Sequence, residues 1–170
     1  MTDIGSWYQI ATEATGARTL PGRHEMPDLL LELWDNLDPD IRPVALADTW
    51  TGVEMPLRVL DHWTWAEMFR DVGFVVDGRS ARRPRRTPDL FRAAHHGSAA
   101  GMSWTDDIDL AKRFTELRPG AVIYRVDGGT AHRALLARFT ENYGRGEREF
   151  VLDPDLLFED DLEQLTPVRL

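Results

Sequence analysis

Cysteine is absent from the 170 residues, which excludes disulfides, thiolate zinc sites and thiol-based catalysis. No apolar run comes near the roughly 20 residues needed to cross a bilayer. The start, Met1-Thr2-Asp3-Ile4, has no basic region followed by an apolar stretch. A soluble chain working in a cytoplasm, with no membrane partner, is the expectation. A surplus of cations is lacking too: the formal net charge of -9 disfavours general affinity for phosphate backbones, which relies on cations that release counterions. No internal repeat or low-complexity tract is evident. What is present, 42% hydrophobic and 29% charged residues, suits one globular domain with a real core.

Apolar spacing in the first half is helical: Ile4, Trp7, Tyr8 and Ala11, then Leu29, Leu30, Leu33, Trp34 and Leu37 behind a Pro27-Asp28 start. Residues 43–51 and 61–72 continue it. Trp50, Trp63 and Trp65 are expected to form the aromatic core of a helical layer over residues 1–77. The stretch "DGRSARRPRRTP" follows, with Arg79, Arg82, Arg83, Arg85 and Arg86 among two prolines. Such a segment propagates neither helix nor central strand, so residues 78–88 read as a linker with solvated charge. The alternative is a mobile arm that touches an acidic partner.

Beyond the linker, short strands are predicted at 90–94, 101–104, 121–126, 132–139 and 147–153, bounded by Gly, Pro and Asp. One helix interrupts them at 107–117, with Ile108, Leu110, Ala111 and Phe114 on its apolar side and Thr105 or Asp106 as its cap. The terminal "LTPVRL" is a candidate edge strand. Helices, linker and then a strand-rich half over 89–170 indicate α+β architecture.

Polar residues at strand positions gather in that second half: Arg92 in "LFRAA", Ser103 and Thr105 in "GMSWT", Glu147 and Glu149 in "EREFVLD". On a strand, alternate side chains share a face, so Glu147 and Glu149 are expected to point the same way with Arg148 opposite. The preceding Tyr143-Gly144-Arg145-Gly146 reads as a loop that its glycines leave free to adapt. His95 and His96 are adjacent, so they diverge, and no nearby cluster completes a metal site.

The order and spacing of these elements resemble the ADP-ribosyltransferase family, in its arginine-serine-glutamate, toxin-like class. The resemblance covers residues 89–154. "LFRAA" is similar to the family's first-strand arginine motif, "GMSWT" with the helix "DIDLAKRF" to its Ser-Thr-Ser strand and helix, and "EREF" to its Glu-x-Glu strand. Trp104 and Thr105 depart from Ser-Thr-Ser. The fold implied is a split β-sandwich behind the N-terminal helices. The activity implied is transfer of ADP-ribose from NAD to a protein acceptor, with arginine the expected target and some NAD hydrolysis alongside. No metal is implied.

Cleaving the nicotinamide glycosidic bond develops positive charge on the ribose, as in glycoside hydrolysis, and an anion must sit beside it. The resemblance gives that role to Glu149 and assigns Arg92 to a phosphate or ribose oxygen through its planar fork of donors. Ser103 orients Glu149 or the ribose. The implied NAD-binding set is Arg92, Ala93, Ser103, Trp104, Thr105, Phe114 and Glu149, and His95 or His96 is a further candidate for adenine or phosphate. Tyr143 and Glu147 face the acceptor, where Glu147 helps activate a guanidinium. Transfer to nucleic acid or to a small molecule, and a catalytically silent NAD- or protein-binding module, stay open. So does an immunity or inhibitor protein as partner, with the cytoplasm being that of the producing cell or of a target cell.

Overall fold

A computed structural model describes residues 4–165. The chain divides into two compact units, Met1–Arg82 with Glu141–Glu147, and Arg83–Thr140 with Arg148–Leu170. The second unit is therefore interrupted by seven residues that belong to the first.

The first unit is helical: α1 (Ile4–Thr15), α2 (Met26–Leu33), α3 (Arg42–Gly52) and α4 (His62–Val72), followed by a small hairpin of β1 (Val75–Val76) and β2 (Arg79–Ser80). Local chemistry sets the boundaries. The Asp61 carboxylate accepts from the Thr64 amide at 2.8 Å and starts α4, and Gly73, at φ 73, stops it. Asp77-Gly78 turns the hairpin with positive φ at both residues, the geometry that a two-residue turn demands. The segment read as a linker thus begins with a strand, because this turn lets Arg79 pair with Val76.

Trp50 anchors the helical core, meeting Trp65 edge-on at 5.1 Å and Phe69 at 5.4 Å. Trp7, Leu30 and Leu46 complete it. Trp63 does not join them and is 56% exposed, since its neighbour Trp65 takes the inward position on α4. Trp7 and Trp34 are the other buried tryptophans of the helical unit.

The second unit carries β3 (Leu90–Ala94), β4 (Ser103–Trp104), α5 (Ile108–Leu117), β5 (Val122–Val126), α6 (Gly128–Ala134), β6 (Leu135–Phe139), β7 (Glu149–Leu152) and β8 (Leu162–Leu165). In one sheet β6, β7 and β4 lie in that order, and the other runs β3-β5-β8, all pairs antiparallel. The sheets meet at one bridge, where Phe91 and Thr105 exchange backbone hydrogen bonds of 2.7 and 2.9 Å. Four helices ahead of a strand-rich half that holds two more, with all its strand pairs antiparallel, make this a mixed α/β protein compatible with the α+β class.

Three local expectations change here. Residues 132–134, read as the start of a strand, belong to α6, because Asp127 caps Gly129 and Thr130 and starts a helix that two glycines hide from a propensity reading. The cap of α5 is Asp107, which accepts from the amides of Asp109 and Leu110, while Asp106 pairs with Arg148 at 2.5 Å. Arg83 is exposed yet also pinned, donating to the carbonyls of His132 and Leu135 at 2.7 and 2.8 Å. β8 (Leu162–Leu165) lies at the edge of its sheet; of the candidate edge strand "LTPVRL" only Leu165 is part of it, and Thr166–Leu170 lie outside the described residues.

Candidate functional site

Register brings the candidate residues together at the junction of the two sheets. Ser103 pairs with Val151 and Trp104 with Phe150, while Phe139 pairs with Glu149. Opposed residues of antiparallel strands share a face, so Ser103, Val151 and Glu149 stand on one side of the sheet. Trp104 stands on the other, buried, with its ring N–H donating to the Gly101 carbonyl at 2.7 Å. Continued by one residue, the same register sets Glu149 opposite Thr105.

Glu149 opens β7 and is only 6% exposed, so its carboxylate is taken out of water at the head of an otherwise apolar strand. Glu147 does not share that strand, which begins two residues later; it lies in the preceding loop, half-buried. The two glutamates are therefore set by different structural elements.

Arg92 sits in the middle of β3, the strand that the Phe91–Thr105 bridge ties to the end of β4. One guanidinium nitrogen donates to the Ser103 carbonyl at 2.8 Å. Part of the side chain still reaches the surface, yet Nε is buried and has no acceptor among the described residues. Burial, helped by the nearby charge of Arg118, pulls the Arg92 pKa down to about 10, and the Glu149 carboxylate acts in the opposite direction. Arg92 remains a cation at neutral pH, but one that has lost water and gained no full set of acceptors.

Two neighbours of Arg92 were not singled out by the sequence. Tyr124 pairs with Arg92 across β3 and β5, and its buried hydroxyl has no hydrogen-bond partner among the described residues. Arg118 follows α5, with its guanidinium 5.7 Å from the centre of the Phe114 ring. The turn after it, at Gly120, passes beside the His95 ring. A polar-tipped aromatic in "VIYRV" was the only sequence signal for Tyr124. Register was needed to set it beside Arg92.

The remaining candidates separate. Ala93 is buried and points away from the face that Arg92 occupies. The Thr105 hydroxyl accepts from the Asp107 amide at 3.1 Å, so it serves the start of α5. Tyr143 and Glu147 belong to the helical unit. The Tyr143 hydroxyl packs against Gly78, and burial, with Asp48, Tyr8 and Asp77 nearby, raises its pKa to about 12. Its loop is seated rather than free: a β-carbon on Gly144 would meet Thr51 at 2.7 Å, and Arg145 donates to the Val53 and Glu54 carbonyls at 3.1 and 3.3 Å.

Clefts of about 620 and 320 Å³ lie in the helical unit. Among the described residues, no group of three or more His, Asp or Glu side chains is arranged to hold a metal ion, and no helix is long and apolar enough to cross a membrane. Neither protein-family models, nor curated proteins, nor solved structures give a match to this chain.

Proposed function

We propose that the protein is a mono-ADP-ribosyltransferase that takes NAD as substrate and a protein as acceptor, with arginine as the modified residue. The observation that carries this reading is the triple junction of Arg92, Ser103 and Glu149: a buried carboxylate on the same sheet face as a serine, beside a desolvated guanidinium bonded to that serine's carbonyl. The split β-sandwich implied by the sequence motifs accords with two antiparallel sheets joined at Phe91 and Thr105.

In this reading the bond between the ribose and the nicotinamide nitrogen breaks, and nicotinamide leaves with the electron pair. Glu149 opposes the positive charge that builds on the ribose, which a buried carboxylate does more strongly than a solvated one. Arg92, with Arg118 near it, suits the pyrophosphate, since two cations close together repel each other until an anion lies between them. The orphaned Arg92 Nε and Tyr124 hydroxyl fit such a polar ligand. Glu147 then accepts a proton as the acceptor nitrogen forms its bond to the ribose.

A second reading is a silent module on the same fold. It is favoured by the Arg92–Ser103 bond, which gives the arginine a structural use without any ligand. Incubating the protein with labelled NAD and a cell lysate separates the readings. Label on protein with free nicotinamide supports transfer, label on nucleic acid moves the acceptor class, and intact NAD throughout defeats the enzymatic reading.

A further inference from the structure

The loop between β6 and β7 leaves the strand-rich unit at Thr140, folds with the helices over Glu141–Glu147, and returns at Arg148. Three contacts seat it there. The Tyr143 hydroxyl packs against Gly78; Gly144, at φ 56, brings its backbone against Thr51; and Arg145 donates to the carbonyls of Val53 and Glu54, which follow the last turn of α3. A guanidinium on carbonyls past a helix C-terminus is favourably placed, because that end carries partial negative charge.

Arg145 also faces Glu147. Its Nε lies 3.7 Å from a Glu147 carboxylate oxygen, a charge contact rather than a hydrogen bond. One side chain thus links the end of α3 to the carboxylate. We infer that Arg145 is the positioning residue that holds Glu147 in place for the transfer step, through its contact with that carboxylate and its bonds to the Val53 and Glu54 carbonyls; this rests on the transferase reading above.

The test compares Arg145→Gln, which removes the charge and the fork, with Arg145→Lys, which keeps a cation and donors. Agmatine, a small guanidinium compound, serves as acceptor, and nicotinamide release in plain buffer reports NAD hydrolysis. Transfer by Arg145→Gln should fall by roughly 10- to 100-fold, the scale for a displaced catalytic group. Its hydrolysis rate and KM for NAD should stay within about twofold of wild type, and Arg145→Lys should recover part of the transfer. Amide hydrogen exchange should quicken over residues 141–147 in Arg145→Gln and not elsewhere.

Equal loss of transfer and hydrolysis would make Arg145 merely structural and overturn the inference. So would unchanged exchange in the loop. If the wild type releases no nicotinamide at all, the transferase reading fails and the acceptor role falls with it, and the exchange measurement alone then decides whether Arg145 holds the loop.

Discussion

The Arg92 guanidinium lies against the backbone of Gly101, so close that a β-carbon there would fall 2.3 Å from Cζ. No side chain other than glycine's hydrogen leaves the arginine where it is. Gly101→Ala should therefore expel Arg92 from its bond to the Ser103 carbonyl. Nicotinamide release should drop on the order of 100-fold, about as far as in Arg92→Ala, as expected for losing one charged group that contacts the substrate. Thermal melting checks that the fold persists. Wild-type release from Gly101→Ala would mean that the position of Arg92 has no bearing on NAD.

Tyr124 allows a cleaner substitution, because its buried hydroxyl is unpartnered and lies on the strand next to Arg92. Tyr124→Phe removes one oxygen and nothing else. Without ligand the variant should be as stable as wild type or more so, by about 1 kcal/mol, since a buried polar group without a partner is costly. With NAD, the rise in melting temperature should be smaller than in wild type if the hydroxyl bonds the substrate. A lower melting temperature without ligand would show that the hydroxyl is already satisfied.

Asp48 should make stability depend on pH. Burial raises its carboxyl above the ordinary value, with the Tyr8 hydroxyl, the Trp7 ring N–H and Arg23 pulling the other way. Of these, Tyr8 is an aligned donor at 2.7 Å, whereas the Trp7 nitrogen makes no well-aligned bond. A raised folded-state pKa means that the folded protein keeps this proton over a pH range in which the unfolded chain has released it. The stabilisation is full below the ordinary carboxyl pKa and is lost as pH rises through the raised value. Asp48→Asn removes the charge and keeps an acceptor for Tyr8. It should melt above wild type at neutral pH, with the gap closing in acid, and a gap of opposite sign would show that the carboxylate's partners outweigh its burial.

Much of the fold was legible because helices and strands bury periodic faces. The four N-terminal helices and the strands around Arg92 and Ser103 follow from apolar spacing and from Asp or Pro at helix starts. Trp63 and Trp65 are two apart on one helix, so spacing alone could not put both in the core, and Trp63 lies outside. α6 was hidden because its stability comes from a capping aspartate, not from propensity. In the candidate site, Glu149 and Ser103 were legible as residues, but the sharing of a face depends on register, which is a long-range property. The seating of the Glu141–Glu147 loop was illegible for a related reason: the glycine that read as freedom, Gly144, marks a close approach to Thr51, and sequence does not say which.

Glu147 and Glu149 provide the sharpest separation, because one is in a loop of the helical unit, half-buried, and the other is sealed at the head of β7. Glu149→Gln keeps the shape and removes the charge that opposes the developing ribose cation. Transfer and NAD hydrolysis should both fall on the order of 100-fold or more, the scale for one strong electrostatic group in a dry site. The variant should not be less stable for it, since a neutral amide is easier to bury than a carboxylate. Glu147→Gln should behave differently. Its carboxylate is needed only to take a proton from the acceptor, so transfer should collapse while hydrolysis persists, water needing less help than a protonated guanidinium. Nicotinamide release and label transfer, measured on both variants with and without agmatine, decide the matter: if Glu149→Gln matches wild type in both, the carboxylate at the head of β7 has no part in NAD chemistry.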